Sequence, residues 1–261
     1  MRNVIILGAG RSGTSLVAGV LAGAGYFMGD RIIPAGRQNP SGFFEDFEVN
    51  AINESLIERS IPGWCRWVPM RVPVLGGTLC QSEGHRWLAV LPVGRTICEP
   101  DAALLDRMNA LTAHVPFCFK DPRFSYTLPA WRRSLENVAH ICIFRDPETS
   151  AASMVRMCSS GPYWSAVRLN RSRALAVWAA MYSHILERHQ SSGDWLFIHF
   201  NQLFDPEGME RLKAFTGAEV DRGFPDATRI TERPKSQVPE PLRSLYFRLC
   251  GLAGYGQSGL G

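Results

Sequence analysis

The chain opens with a short apolar run that leads directly into a glycine-rich loop, Asn3-Val4-Ile5-Ile6-Leu7-Gly8-Ala9-Gly10-Arg11-Ser12-Gly13-Thr14-Ser15. The apolar run predicts a fully buried strand over Asn3–Leu7. Leu, Val and Ala dominate the next stretch, which predicts a helix over Leu16–Gly23 ending in a pair of glycines. A strand, a glycine loop and a helix in this order are typical of the start of a parallel α/β sheet.

Further apolar runs repeat this alternation along the chain. Strands are predicted at Pro116–Lys120, His140–Phe144 and Trp195–Phe200. Helices are predicted at Glu45–Ser60, Glu148–Met157, Arg171–His189 and Glu207–Thr216. The predicted fold is α/β, a three-layer P-loop-type fold whose mostly parallel central sheet is flanked by helices. We expect a single domain over residues 1–261, with residues 61–100 as an insertion or a subdomain.

The composition is that of an ordinary globular protein. Of the 261 residues, 46% are hydrophobic and 20% are charged, and the formal net charge is +4. No long Lys/Arg run is present, which argues against nucleic-acid binding but suits a local basic pocket for a small anion. Seven cysteines without a C-x-x-C pair argue against a disulfide framework or a zinc site. We expect a cytoplasmic protein with neither a signal peptide nor a membrane span.

Charged residues follow the first three predicted strands, at the edge where ligands collect in parallel sheets. Arg11 lies in the loop after the first strand, Lys120 ends the second, and Arg145 follows the third. The backbone N–H groups of the glycine loop and the N-terminus of the next helix predict an anion site. Thr14 and Ser15 add hydroxyl donors to it.

Two standard nucleotide patterns fit this loop only in part. Gly8, Gly10 and Gly13 match the dinucleotide pattern G-x-G-x-x-G, but the acidic residue at the right distance, Asp30, follows a poor strand. Gly8 and Gly13 also have the spacing of the ATP/GTP loop, but Thr14 occupies the position of its lysine. The cation in this loop is Arg11 instead.

The loop Gly10-Arg11-Ser12-Gly13-Thr14-Ser15 resembles the 5′-phosphosulfate loop of the sulfotransferase superfamily, in the form found in tyrosylprotein and many bacterial members. The segment from Ile143 resembles the family's 3′-phosphate segment, because Ser153 follows Arg145 by eight residues as in that motif. Lys120-Asp121-Pro122 is similar to a segment whose lysine lies at the reaction centre. Gly42-Phe43-Phe44-Glu45-Asp46 is similar to a stretch of bacterial sulfotransferases.

The resemblance implies metal-independent, in-line transfer of a sulfuryl group from 3′-phosphoadenosine-5′-phosphosulfate (PAPS), with adenosine 3′,5′-bisphosphate as product. It implies that the donor is held by Gly10, Arg11, Ser12, Gly13, Thr14, Ser15, Arg145 and Ser153. Arg11 and Lys120 are expected to stabilise the leaving-group charge. Glu45 is the first choice for the general base, with Asp30, Asp46, His85 and His114 as alternatives. The Arg-Lys-Gly loop of cytosolic members is absent, and Arg233 and Lys235 are candidate substitutes.

The acceptor is expected to be a small molecule. Residues 31–44 and 61–100 are expected to shape its pocket, and their aromatic content indicates a partly apolar or ring-bearing acceptor, such as an aromatic metabolite, a lipid or a sugar conjugate. Competing interpretations are an ATP-dependent small-molecule kinase and a non-catalytic nucleotide-binding protein. Lys120 and Arg145 could also have structural roles only. In that interpretation Lys120 pairs with Asp121, and Arg145 pairs with Asp146 or Glu148.

Overall fold

A parallel sheet of four strands forms the centre of the protein in the computed structural model, which describes residues 1–36, 39–61, 84–159, 169–230 and 237–256. The strands are β1 (Asn3–Leu7), β2 (Cys118–Lys120), β3 (Val138–Phe144) and β4 (Asp194–His199), in the order β2-β1-β3-β4. Ile5 of β1 aligns with Phe119 of β2 on one side and with His140 of β3 on the other. All three strand pairs are parallel, so the carboxyl ends of the strands meet at one edge.

Helices connect and cover the strands. They are α1 (Thr14–Ala22), α2 (Phe47–Ser60), α3 (Ala102–Thr112), α4 (Phe124–Trp131), α5 (Pro147–Cys158), α6 (Arg171–His184), α7 (Pro206–Thr216) and α8 (Glu240–Ala253). A π-helical turn, Ile185–His189, continues α6, and a short 3₁₀ helix, Phe200–Phe204, follows β4. Within the described ranges, none of the helices has the length and apolar character that crossing a membrane requires.

Alternate residues of β1 enter different hydrophobic clusters on the two faces of the sheet. Val4 and Ile6 pack with residues of α1 and α7, whereas Ile5 and Leu7 pack with residues of α2, α4, α5 and α6. Side chains of a strand alternate between faces, so a strand buried on both faces must be apolar at every position. The arrangement is a three-layer α/β fold with a parallel central sheet, and the predicted fold class is confirmed.

The four predicted strands are present, with ends that differ by one or two residues. Helices α3, α4 and α8 were not predicted from the sequence. Residues 62–83 of the predicted insertion lie outside the described residues. Its later part contributes Trp87, Leu88 and Leu91 to the same hydrophobic cluster as α2 and α4. The extent of the domain stays a prediction.

Buried histidines make stability depend on pH. Burial lowers the pKa of His140 to about 4, that of His189 to about 4 and that of His199 to about 3, and it also lowers the pKa of His184. Below about pH 6.5 the unfolded chain therefore binds protons that the folded chain does not, and the folded state loses stability. Asp121 acts in the opposite direction, because burial raises its pKa to about 6.

We expect the free energy of unfolding to fall by about 3–5 kcal/mol between pH 7 and pH 4.5, since the histidines outnumber this aspartate. Urea unfolding followed by tryptophan fluorescence at several pH values measures this. His199→Gln should make the dependence shallower. A free energy of unfolding that stays constant over this interval would contradict the assignment of buried neutral histidines.

Candidate active site

The glycine loop between β1 and α1 has an unusual backbone. Gly8 and Gly13 have φ angles of 139° and 105°, and Arg11 takes the left-handed region at 66°. A Cβ atom on Gly8 would lie 2.2 Å from the carbonyl oxygen of Ile143, so only glycine allows the loop to pass this close to β3. The N-cap residue of α1 is Gly13, which has no side chain that could cap the helix. Its first N–H groups are therefore available to an anion, which the helix dipole also favours.

Tyr182 of α6 links the glycine loop to β3. Its hydroxyl donates a hydrogen bond to the carbonyl of Ile143 at 2.8 Å and accepts one from the N–H of Ala9 at 3.2 Å. The hydroxyl of Ser12 lies 3.1 Å from that of Ser150, and both serines are fully buried. The Ser12 side chain thus packs beneath the loop, and the part of Ser12 in holding the donor stays a prediction.

The glycine loop and the segment after β3, the two segments predicted to bind phosphates, contact each other. Arg145 follows β3, and its guanidinium lies over the ring of Phe200 at 4.2 Å from the centroid. The indole N–H of Trp178 donates to the carbonyl oxygen of Arg145 at 3.2 Å. Ser153 lies on α5, where its hydroxyl accepts a hydrogen bond of 3.1 Å from Nε of Arg11. This hydrogen bond and the one between Ser12 and Ser150 join the glycine loop to the segment after β3.

A cavity of about 170 Å³, the smaller cavity, lies between these segments. It is lined by Arg11, Gly13, Thr14, Ser15, Arg145, Ser153, Phe200, Phe204 and Phe224, among others. The side chains predicted to bind a 5′-phosphate and a 3′-phosphate thus share one groove, apart from Ser12. Burial and the nearby charge of Arg156 lower the pKa of Arg11, so a bound anion would compensate a cation that has lost much of its water.

A second cavity of about 640 Å³, the larger cavity, borders the same loop. Arg11, Thr14 and Ser15 line both cavities, and Gly10 lines the larger one. The other residues of its wall include Ile33, Phe43, Glu45, Phe47, Asn50, Ala51, Glu54, Ser55, Trp87, Lys120 and Met157. The size is typical of a site for a small organic molecule. Sequence analysis did not single out Asn50 or Ser55 in this wall.

Glu45 and Lys120 form an ion pair in the larger cavity. The side chain of Lys120 is 2% exposed and that of Glu45 is 13% exposed, so the pair is largely shielded from water. Nδ2 of Asn50 donates a hydrogen bond of 2.9 Å to the other carboxylate oxygen of Glu45. Burial raises the pKa of Glu45, but the charge and hydrogen bond of Lys120 outweigh this effect and lower it below the ordinary value.

Comparison with known proteins identifies the family. The sequence model of the Sulfotransferase family matches residues 3–222. The chain belongs to the Sulfotransferase family. Among solved structures, a sulfotransferase domain from the olefin synthase of Synechococcus PCC 7002 is similar over 97% of this chain and 94% of that domain, with 15% sequence identity and a TM-score of 0.47. No curated protein matches this chain.

A buried network of charges forms part of the wall of the larger cavity in this sulfotransferase family member. Nε of Arg123 donates to Glu54 at 2.7 Å, and Nη1 of Arg123 donates to Asp121 at 3.0 Å. Nη1 of Arg86 donates to Glu54 at 2.8 Å. Asp121 thus pairs with Arg123 and not with Lys120, which corrects one structural interpretation of Lys120.

The acidic alternatives to Glu45 are placed differently in this family member. Asp46 is the N-cap of α2, and its oxygens accept hydrogen bonds from the backbone N–H groups of Arg31, Glu48 and Val49. Asp30 is exposed and lines neither cavity. Glu45 itself precedes the helix rather than opening it, because α2 begins after Asp46.

His85 and His114 line neither of the two cavities. The ring of His114 stacks on Phe27, with centroids 4.2 Å apart. Around Arg145, Asp146 caps α5 by accepting a hydrogen bond of 2.8 Å from the N–H of Thr149, and Glu148 pairs with Arg171. The candidate contacts Arg233 and Lys235 lie outside the described residues.

Proposed function

We propose that this protein transfers a sulfuryl group from PAPS to a hydroxyl or amine of a small-molecule acceptor. One observation carries the proposal: Arg11, Thr14 and Ser15 line both the smaller and the larger cavity. A group bound at this loop is therefore accessible from both sides. A donor in the smaller cavity can present its reactive end to an acceptor in the larger one.

The residues that line the smaller cavity suit the phosphates and the adenosine of the donor nucleotide. The N–H groups of the loop, Thr14 and Ser15 hold the 5′-phosphate in this proposal. Arg145 and Ser153 hold the 3′-phosphate, because a guanidinium and a hydroxyl provide charge-assisted hydrogen bonds to phosphate oxygens. The rings that line this cavity, Phe200, Phe204 and Phe224, offer apolar surface to the adenosine.

PAPS supplies the reactive sulfuryl group and a phosphate leaving group. The acceptor oxygen or nitrogen forms a bond to sulfur, while the bond between sulfur and the 5′-phosphate oxygen breaks and the released bisphosphate gains negative charge. Arg11 and Lys120 stabilise that charge, so no metal ion is needed in this mechanism. Glu45 accepts the proton of the acceptor. Movement of Lys120 towards the leaving group would raise the pKa of Glu45 and make it a stronger base.

Calorimetry with the product nucleotide tests the donor site. We expect adenosine 3′,5′-bisphosphate to bind at least ~10-fold more tightly than adenosine 5′-monophosphate, because Arg145 and Ser153 contact only the additional phosphate. EDTA should leave both affinities unchanged. Equal affinities, or binding of ATP that depends on magnesium, would contradict the proposal and favour a kinase.

A transfer assay tests the reaction. Labelled PAPS is incubated with a library of hydroxyl and amine acceptors, and release of adenosine 3′,5′-bisphosphate is measured. Acceptor-dependent release is expected. Tight bisphosphate binding without transfer to any acceptor would instead favour a non-catalytic nucleotide-binding protein.

A further inference from the structure

The larger cavity combines charged residues with an apolar wall, and it is the charges that restrict its ligand. Glu45 pairs with Lys120, and Glu54 pairs with Arg123 at 2.7 Å. Arg86 contacts Glu54 at 2.8 Å and Glu58 at 3.6 Å. Among the described residues of this wall, each carboxylate thus faces a cation of the same wall. Arg11, a further cation of this wall, also lines the smaller cavity.

The exposure of these groups adds a second constraint. The side chains of Arg86 and Arg123 are 8% and 5% exposed, and that of Glu54 is 10% exposed. Each of these buried groups already has one or two partners of opposite charge, so a charged ligand would have to compete with a partner that is in contact, which is unfavourable. Once the donor neutralises Arg11, as in the proposed function, neither an anionic nor a cationic ligand meets a charged residue of the described wall that lacks a counter-charge.

Apolar side chains form much of the remaining wall. Ile33, Phe43, Phe47, Trp87 and Met157 line the cavity beside Ala51 of α2. Removing apolar ligand surface from water against these side chains is favourable.

We infer that the acceptor is an uncharged molecule with an apolar body, and that its reacting hydroxyl or neutral amine contacts Glu45. This inference rests on the proposed function, because the larger cavity is the acceptor site only if the smaller one holds the donor. It is more specific than a small-molecule acceptor, since it excludes acidic and cationic acceptors.

Calorimetry with three matched probes tests the inference on protein saturated with adenosine 3′,5′-bisphosphate. The probes are 4-hydroxybiphenyl, its 4′-carboxylate and its 4′-aminomethyl derivative. We expect the neutral probe to bind about 30-fold more tightly than either charged probe, because a buried charge without a partner is costly. Equal affinities, tighter binding of a charged probe, or no binding of the neutral probe would overturn the inference.

Two variants locate the binding. In Ala51→Trp the larger side chain would occupy part of the larger cavity. This variant should lose binding of 4-hydroxybiphenyl and retain its affinity for the bisphosphate. Ala102→Trp, on an exposed position of α3 outside the cavity wall, is the matched control and should bind both ligands as the natural protein does. Unchanged affinity for 4-hydroxybiphenyl in Ala51→Trp would overturn the inference. Failure of the bisphosphate itself to bind would instead overturn the proposed function, and the inference with it.

Discussion

Replacing Glu45 with glutamine is expected to lower the turnover number about 10²–10⁴-fold, the usual contribution of a general base. The amide keeps the shape of the carboxylate and can still contact Asn50, but it cannot accept the proton of the acceptor. Affinity for adenosine 3′,5′-bisphosphate should be retained, because the glycine loop, Arg145 and Ser153 are unchanged. The rate of bisphosphate release with an acceptor found in the library, together with calorimetry, measures both effects.

Glu48→Gln is the matched control for this experiment. Glu48 lies three residues further along the chain, in the first turn of α2, and pairs with Arg107 at 2.6 Å outside both cavities. Its replacement should leave turnover unchanged. Full activity of Glu45→Gln would show that another group takes the proton, with Asp30, Asp46, His85 and His114 as the remaining candidates.

Replacing Arg145 with alanine is expected to weaken adenosine 3′,5′-bisphosphate binding about 30–100-fold, equivalent to ~2–3 kcal/mol for hydrogen bonds to a charged group. Adenosine 5′-monophosphate should bind the variant and the natural protein equally well, because it lacks the phosphate that Arg145 contacts. Calorimetry with both nucleotides separates the loss of one phosphate contact from general damage to the site.

Arg171→Ala controls for the loss of an arginine in the same region. Arg171 pairs with Glu148 near the start of α5, and its side chain is 62% exposed. Its replacement should leave both nucleotide affinities unchanged. If Arg145→Ala bound the bisphosphate as tightly as the natural protein, Arg145 would not be a ligand of the 3′-phosphate, and the orientation proposed for the donor would be wrong.

The sequence predicted the sheet because strand signals are local. Continuous apolar runs such as Val4–Leu7 and Ile141–Phe144 mark strands buried on both faces, and the glycine loop follows directly from the first of them. Helix α4 was not predicted, since it begins just after Pro122 and contains Pro129, and prolines normally interrupt helices. The N-cap of α3, Asp101, was a usable signal that sequence analysis did not apply.

The site was predictable as a set of residues but not as a set of contacts. Arg11 and Ser153 are 142 positions apart, and Glu45 and Lys120 are 75 positions apart, so tertiary packing alone brings each pair together. The same holds for Ser12, whose residue type suits a phosphate ligand although its hydroxyl meets Ser150 instead. Residue type and motif spacing indicate which chemistry is available, but they do not indicate the direction in which a side chain points.

Tyr182 has a consequence for how a nucleotide is selected. Because one hydroxyl bonds both Ala9 and Ile143, α6 holds the start of the glycine loop at a set separation from the strand end that leads into Arg145. If the two proposed phosphate sites bind as described above, they are arranged during folding, and little conformational freedom remains to be lost when a ligand arrives. Such a rigid frame discriminates by the distance between two phosphates as well as by their number, so nucleotides with differently spaced phosphates fit it poorly.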